Sequence, residues 1–423
     1  MTKYIIILFF VCSIYESKSQ DTINSATVEQ KSYQLYQDKN WSALINYGKK
    51  AIKNGYNYFY MQMRVGIAYY EKKNYSLAEG YFKKALTYNS TDDLALEYLY
   101  YCYLLNGRNE EARQLSKQFS KTLSEKIGTD KQSSLNFFMF EAGTKRSDSA
   151  TYYDKVTKKS SNYFNSPIYF QLGLNHSIKN SFSLFHSFTY FNQQTFLGSI
   201  SQPQYYLKAA IPIKNNWLIS PSFHLVHIKS TKDVMFQAPN NNNNNMGNSP
   251  NHPPFNNTTI TLSNYFVGSF MVQKTIKKIA LGLGTVFSNM NNVTQYIHNG
   301  FASYSVFGNS KLVFGVSAYI HTIDNYSTNN LSLAPFLYIQ PTKRISLKVT
   351  YLVNNKNNII EDNGYLVNNS SDLTKYRYGA LANFIVSKRL TLYALYQLEF
   401  KQENVQLFNY RYAVFVGGIK ITP

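Results

Sequence analysis

Leu390-Thr-Leu-Tyr-Ala-Leu-Tyr-Gln-Leu-Glu-Phe400 alternates with a period of two. Leu390, Leu392, Ala394, Tyr396, Leu398 and Phe400 share one face, and Thr391, Gln397 and Glu399 lie on the other. This is a β-strand with one apolar and one largely polar side. The same alternation runs from Ile345 to Tyr351, where Ser346, Lys348 and Thr350 separate the apolar positions, and again from Tyr376 to Val386. Working outward, fourteen such segments can be read, at 135–144, 163–177, 182–192, 203–213, 217–229, 258–273, 279–290, 294–308, 311–322, 330–340, 345–355, 373–386, 390–400 and 408–422. Many reach ten residues or more. Strands of globular proteins run to about 5–6, whereas a tilted strand needs about 9–11 to cross a bilayer.

The linkers sharpen the reading. Tight turns fall at Lys179-Asn180, Lys214-Asn215-Asn216, Thr275-Ile276-Lys277-Lys278, Asn309-Ser310, Pro341-Thr342-Lys343-Arg344 and Ser387-Lys388-Arg389. Between them lie longer polar loops, among them Lys145 to Asn162, Ser230 to Asn257 with its asparagine tract Asn240 to Asn245, and Lys356 to Asp372. Short turns on one side of an antiparallel sheet and long loops on the other predict a transmembrane β-barrel of about 14 strands over 135–423. Trp217, Tyr265, Tyr304, Tyr410 and Tyr412, near strand ends, are the expected interfacial aromatics. A soluble propeller or sandwich also alternates, but strand length and aromatic richness disfavour it.

Composition supports this division. The 423 residues carry Lys+Arg 43 against Asp+Glu 23, a net +20. A mean hydropathy of −0.33 excludes a bundle of transmembrane helices, each needing about 20 apolar residues. Most of the positive excess lies beyond Leu135, partly in the turns and partly at Lys208, Lys348, Lys375, Arg377 and Arg411, which alternation turns toward the barrel interior. A basic lumen favours anionic solutes or polymers. Pairing with the few acids, contact with lipopolysaccharide phosphates, or simple hydration are the blander roles. Without a nucleic-acid motif, binding to DNA or RNA is not expected.

Residues 1–19 read as a secretory signal: Lys3, an apolar stretch from Ile5 to Ile14, and Ser17-Lys18-Ser19 before a cut at Gln20. Cys12 and Cys102 are too few for a disulfide framework or a tetrahedral zinc site. Between 25 and 126 the period changes. Trp41, Tyr75 and Asn109 recur at intervals of 34 residues, the period of a tetratricopeptide repeat. Trp41, Gly66, Ala68, Tyr69, Tyr75, Ala78, Phe82, Ala85 and Ala112 are the expected packing positions, small residues letting helices touch and aromatics filling the space between them. Three units result, at 25–58, 59–92 and 93–126. Such α-solenoids present extended surfaces to peptide or protein partners, so binding and not catalysis is the expectation for this module.

No catalytic motif of the HExxH, GxSxG, Walker or Rossmann type occurs. His176-Ser177 and His186-Ser187 place a base beside a hydroxyl, but adjacent strand residues point to opposite faces, so neither is a dyad. Glu361-Asp362 and His252 lie in loops without ligand spacing, and neither a metal nor a cofactor is expected.

A signal, a short repeat array and a C-terminal barrel together resemble the TPR-bearing outer-membrane proteins of Gram-negative bacteria. The chain looks most like the YaiO-like group, and more distantly like the TPR–barrel polysaccharide secretins. The specific motif covers only 25–126; for the barrel the match is architectural. The resemblance implies an outer-membrane barrel with repeats in the periplasm, and a non-enzymatic role in export or assembly of surface polysaccharide or other anionic cargo, with protein partners bound by the repeats. The repeats are far fewer than in the large exporters. Two alternatives stand beside it: a structural or adhesive barrel with a filled lumen, and a lipid-modifying enzyme in which His176 or His186 meets a distant acid and serine.

Overall fold

The computed structural model describes residues 24–147, 151–154, 159–162, 166–195, 198–235, 256–323, 328–356, 359–368, 372–402 and 409–423. The signal segment, with Cys12, and the asparagine tract lie outside these. Seven helices come first: α1 Ser25–Gln37, α2 Trp41–Lys53, α3 Phe59–Glu71, α4 Tyr75–Leu86, α5 Asp93–Leu105, α6 Asn109–Ser116 and α7 Lys121–Ile127. Their starts repeat at the interval read from the sequence, because each second helix is opened at that interval. Asn40 and Asn74 accept from Ala43 N and Leu77 N as N-caps of α2 and α4. Ala68, Ala78, Phe82, Ala85 and Ala112 are fully buried, while Trp41, Tyr69 and Tyr75 pack partly buried around them. Gly66 is there for close approach: a Cβ would come within 2.8 Å of the Phe82 ring.

Among the described residues eighteen strands follow. The fourteen of the barrel are β1 Leu135–Ser147, β4 Ile168–Ile178, β5 Phe182–Thr195, β6 Gly198–Ile213, β7 Trp217–Met235, β8 Asn256–Ile276, β9 Ile279–Ser288, β10 Gln295–Ser305, β11 Leu312–Ile323, β12 Thr328–Ile339, β13 Ile345–Lys356, β16 Leu373–Ile385, β17 Leu390–Gln402 and β18 Asn409–Ile421. Each pairs antiparallel with its neighbours, and β1 pairs with β18 from Phe138↔Ile421 to Ser147↔Tyr412, so the sheet closes without an edge. Lys179-Asn180 and Asn215-Asn216 have positive φ at both positions, the backbone that a tight hairpin with right-handed twist requires. On the opposite side the connections vary; β9 reaches β10 through a short turn at Met290–Asn292. The remaining strands are two hairpins in the outer loops, β2 Thr151–Asp154 with β3 Lys159–Asn162, and β14 Ile359–Glu361 with β15 Leu366–Asn368.

The barrel is apolar outward. Leu172, Phe188, Leu225, Leu262, Phe270, Leu283, Phe314, Leu331, Val349 and Phe415 are all exposed, a belt that suits hydrocarbon and not water. Among the described residues no helix is long and apolar enough to cross a membrane. Of the expected interfacial aromatics, Trp217 and Tyr304 are on this outer face, Trp217 under the Lys274 ammonium at 4.6 Å. Tyr265, Tyr410 and Tyr412 are buried on the inner face and are corrected accordingly.

The helical array docks on an arc of the tight-turn rim. The Ser76 N–H, an unsatisfied donor in the first turn of α4, finds the Gly308 carbonyl at 2.9 Å, and Asn309 Nδ2 donates to the Lys73 carbonyl at 2.8 Å. Gln114 Nε2 donates to the Pro212 carbonyl at 3.0 Å and Lys117 Nζ to Ser181 Oγ at 2.5 Å. Asn216 Nδ2 donates to Glu79 Oε1 at 2.7 Å. Gly308 has φ 71° and leaves no room for a Cβ beside Asn74. Gly308→Val should therefore loosen the array while sparing the barrel. Faster proteolysis of the helices with unchanged heat-modifiable migration is the expected result, and equal proteolysis would refute it.

Candidate functional site: the occluded lumen

A segment of the chain itself enters the interior. The loop between β13 and β16 turns inward as the β14–β15 hairpin, from the side opposite the docked helices. Its tip, Asp362-Asn363-Gly364, holds three consecutive positive φ values of 48°, 59° and 78°. This turn exposes its carbonyls. The Asn363 carbonyl accepts from Ser222 Oγ at 2.5 Å, Ser269 Oγ at 2.8 Å and the Tyr206 hydroxyl at 3.3 Å. The Gly364 carbonyl accepts from His224 Nδ1 at 2.7 Å. Ser222 lies only five residues into β7 from its tight turn, so the tip penetrates most of the barrel. We call this segment the plug.

Two further attachments fix its stem. Arg377 Nη2 contacts both Glu361 oxygens at 2.7 Å, with both residues buried. Tyr365 accepts from Gln171 Nε2, whose Oε1 is bonded by the Tyr169 hydroxyl; Tyr169 and Tyr393 both reach Glu141, the latter at 2.7 Å. Ile360 supplies an apolar anchor among Val226, Tyr265, Val267, Val286, Met290, Ile297 and Tyr319. Burial of such a side chain contributes about 1.5–3 kcal/mol, comparable to the polar attachments.

The five basic residues expected in the lumen separate. Arg377 and Lys208 meet the plug: Arg377 through Glu361, and Lys208 across a cavity it lines together with Asp362. Lys348 is on the inner wall, its Nζ 5.2 Å from the Phe336 ring centroid. Lys375 is at the outer mouth, donating to Asn409 Oδ1 at 3.0 Å. Arg411 is corrected: it is exposed on the outward face of β18 with Phe415, while Tyr410, Tyr412 and Val414 alternate inward. Both faces of β18 carry aromatics, which made its polarity ambiguous. Sequence reasoning passed over Lys145 and Lys401, also inside; Lys145 Nζ is 3.7 Å from Glu399, and the Lys401 charge faces the same carboxylate. Tyr410 donates to Asp372 at 2.5 Å nearby.

At the other end Glu110 of α6 reaches the mouth, bonded to Ser183 and within electrostatic reach of Lys208. Burial, the largest influence, holds its carboxyl above the ordinary value.

His176 and His186 do come together, stacked at 5.1 Å, and His186 Nδ1 bonds the Tyr205 hydroxyl at 2.7 Å. They share the outward faces of β4 and β5 with Leu174 and Phe188. Among the described residues they meet no carboxylate, and no cluster of three potential metal ligands occurs. The plug was read only as a polar loop. Its signal is Asp362-Asn363-Gly364 between Ile359-Ile360 and Leu366-Val367, a turn between apolar pairs.

No protein-family model and no curated protein matches the chain. Solved structures do. A Pseudomonas aeruginosa FadL homologue aligns over 68% of this chain and 90% of its own with 12% identity and a TM-score of 0.38. The CymD monoaromatic hydrocarbon channel aligns over 70% and 90% with 8% identity and a TM-score of 0.37. The Acinetobacter baumannii outer membrane protein Omp33 aligns over 69% and 100% with 8% identity and a TM-score of 0.35. The closed antiparallel barrel preceded by helices stands on the chain's own strand pairing.

Proposed function

We propose that this is an outer-membrane channel or export component kept closed by its own outer loop, with the N-terminal helices as a periplasmic tetratricopeptide module that binds a protein partner. One observation carries the reading. A short hairpin enters the lumen and is tethered to the inner wall at its tip and its stem, so a single segment can leave and open a path. The plug also brings its own carboxylates to basic groups, Glu361 paired with Arg377 and Asp362 facing Lys208 across a cavity. Withdrawing it exposes Arg377 and Lys208 beside Lys145, Lys348 and Lys401, which favours anionic cargo such as an acidic polysaccharide. The 34-residue helix interval and the packing of Phe82 among alanines support the repeat assignment.

Planar-bilayer conductance tests the channel. The intact chain should be nearly silent, and a variant with 358–369 replaced by a short Gly-Ser linker should conduct with anion preference. A hairpin-less barrel that remains heat-modifiable yet silent would instead support a filled, structural barrel.

A further inference from the structure

Between the plug tip and the barrel wall lies a cavity of about 240 Å³. Lys208, Asn299, Phe301, Tyr319 and Asp362 line it. Glycines at 282 and 284 help to hollow the inner wall facing Phe301 and Asn299. Its chemistry is two-signed. Lys208 brings an ammonium from β6 and Asp362 a carboxylate from the plug, yet no ion pair within 4 Å joins them. Asn299, nine-tenths buried, closes the wall over Gly284.

We propose that this chamber binds a small zwitterion of amino-acid size. Asp362 receives its ammonium, Lys208 its carboxylate, and Phe301 and Tyr319 enclose its side chain. A net-neutral ligand with separated charges matches the two signs, whereas an anion alone would meet Asp362 and an amine alone Lys208. Because Asp362 belongs to the plug, the site exists only while the plug is seated. Ligand binding must therefore favour the closed barrel, a consequence that rests on the channel reading, whereas the binding itself does not.

The full chain in detergent should be titrated calorimetrically with L-leucine, 4-methylpentanoate, isoamylamine and glucose. Saturable binding of leucine is expected, with the three others at least roughly tenfold weaker, since each forfeits one or both charged contacts. Lys208→Met and Asp362→Asn should each reduce leucine affinity by a similar factor while heat-modifiable migration is retained. Absence of saturable leucine binding, equal binding of glucose, or unaltered affinity in both folded variants would overturn the proposal. In bilayers, leucine should reduce openings of the intact chain but not of the hairpin-less variant. Binding without this conductance effect would count against the channel reading and leave the site in place.

Discussion

Glu361→Ala should unseat the plug and raise the conducting fraction of the intact chain about thirtyfold. Arg377 and Glu361 form a two-oxygen contact at 2.7 Å with both groups buried. Removing one partner of such a pair typically costs about 3–5 kcal/mol, because the survivor is left as an unpaired buried charge. Glu399 also interacts with Arg377 and can take up part of its charge, which lowers the expected cost to about 2 kcal/mol. That corresponds to the thirtyfold change. The Glu361→Ala/Arg377→Ala double variant removes the stranded cation and should recover part of the loss, so the two effects will not add. Single-channel records in planar bilayers, with heat-modifiable migration as the check on folding, measure both. If a folded Glu361→Ala barrel is as silent as the parent, the ion pair does not hold the plug.

The second large effect concerns the helices. Glu79 is nearly fully buried, with Arg108 at 2.7 Å, Lys83 at 2.6 Å and Asn216 of the barrel rim at 2.7 Å. Glu79→Ala leaves Lys83 without its paired carboxylate and Arg108 with Glu111 alone at 2.9 Å, and deletes a rim contact, at a cost of about 3 kcal/mol. For a unit of this size the helical melting transition should fall by more than about 10 °C while the barrel is unaffected. Burial pushes the Glu79 carboxyl up, but Arg108 and Lys83 outweigh it, and it lies below its ordinary value. Its contribution is thus complete above the normal carboxylate range and is lost as pH falls through the depressed value. Circular dichroism melts between pH 7 and pH 3 should show the parent array weakening with acid, and Glu79→Gln should flatten the part of that dependence due to Glu79. A parent array whose melting does not respond to acid would contradict this.

Much of the barrel was legible, for reasons visible in particular residues. One face of Leu390–Phe400 meets an apolar medium and the other a packed polar lumen, so the alternation had to be written into the chain. Lys179-Asn180 and Asn215-Asn216 announced hairpins because few side-chain-bearing residues tolerate positive φ. The helix starts at Trp41, Tyr75 and Asn109 coincide with the sequence interval because packing recurs in all three, with Asn40 and Asn74 capping the first two. The plug was not legible as a plug. A two-sided hairpin that packs only against a concave wall leaves no periodicity beyond its turn, and its hold is largely on carbonyls, which every residue has. Arg411, Tyr265, Tyr410 and Tyr412 were misplaced for a related reason: a filled lumen wants aromatics inside while the lipid side wants them outside. The docking of Glu79 on Asn216 joins positions far apart in sequence that share no pattern.

The grip on the plug tip has a consequence for how the protein can vary. Four hydrogen-bond donors, Ser222, Ser269, Tyr206 and His224, read the main-chain oxygens of Asn363 and Gly364 and not the Asn363 side chain. Such a latch recognises a shape and not a set of letters. In a saturation library, aspartate or glycine at 363 should survive as well as asparagine, and β-branched residues, for which positive φ is strained, should be depleted. The four donors should tolerate little change. Lineages descended from this chain could rewrite the face that their plug presents to a new solute while inheriting an unchanged lock.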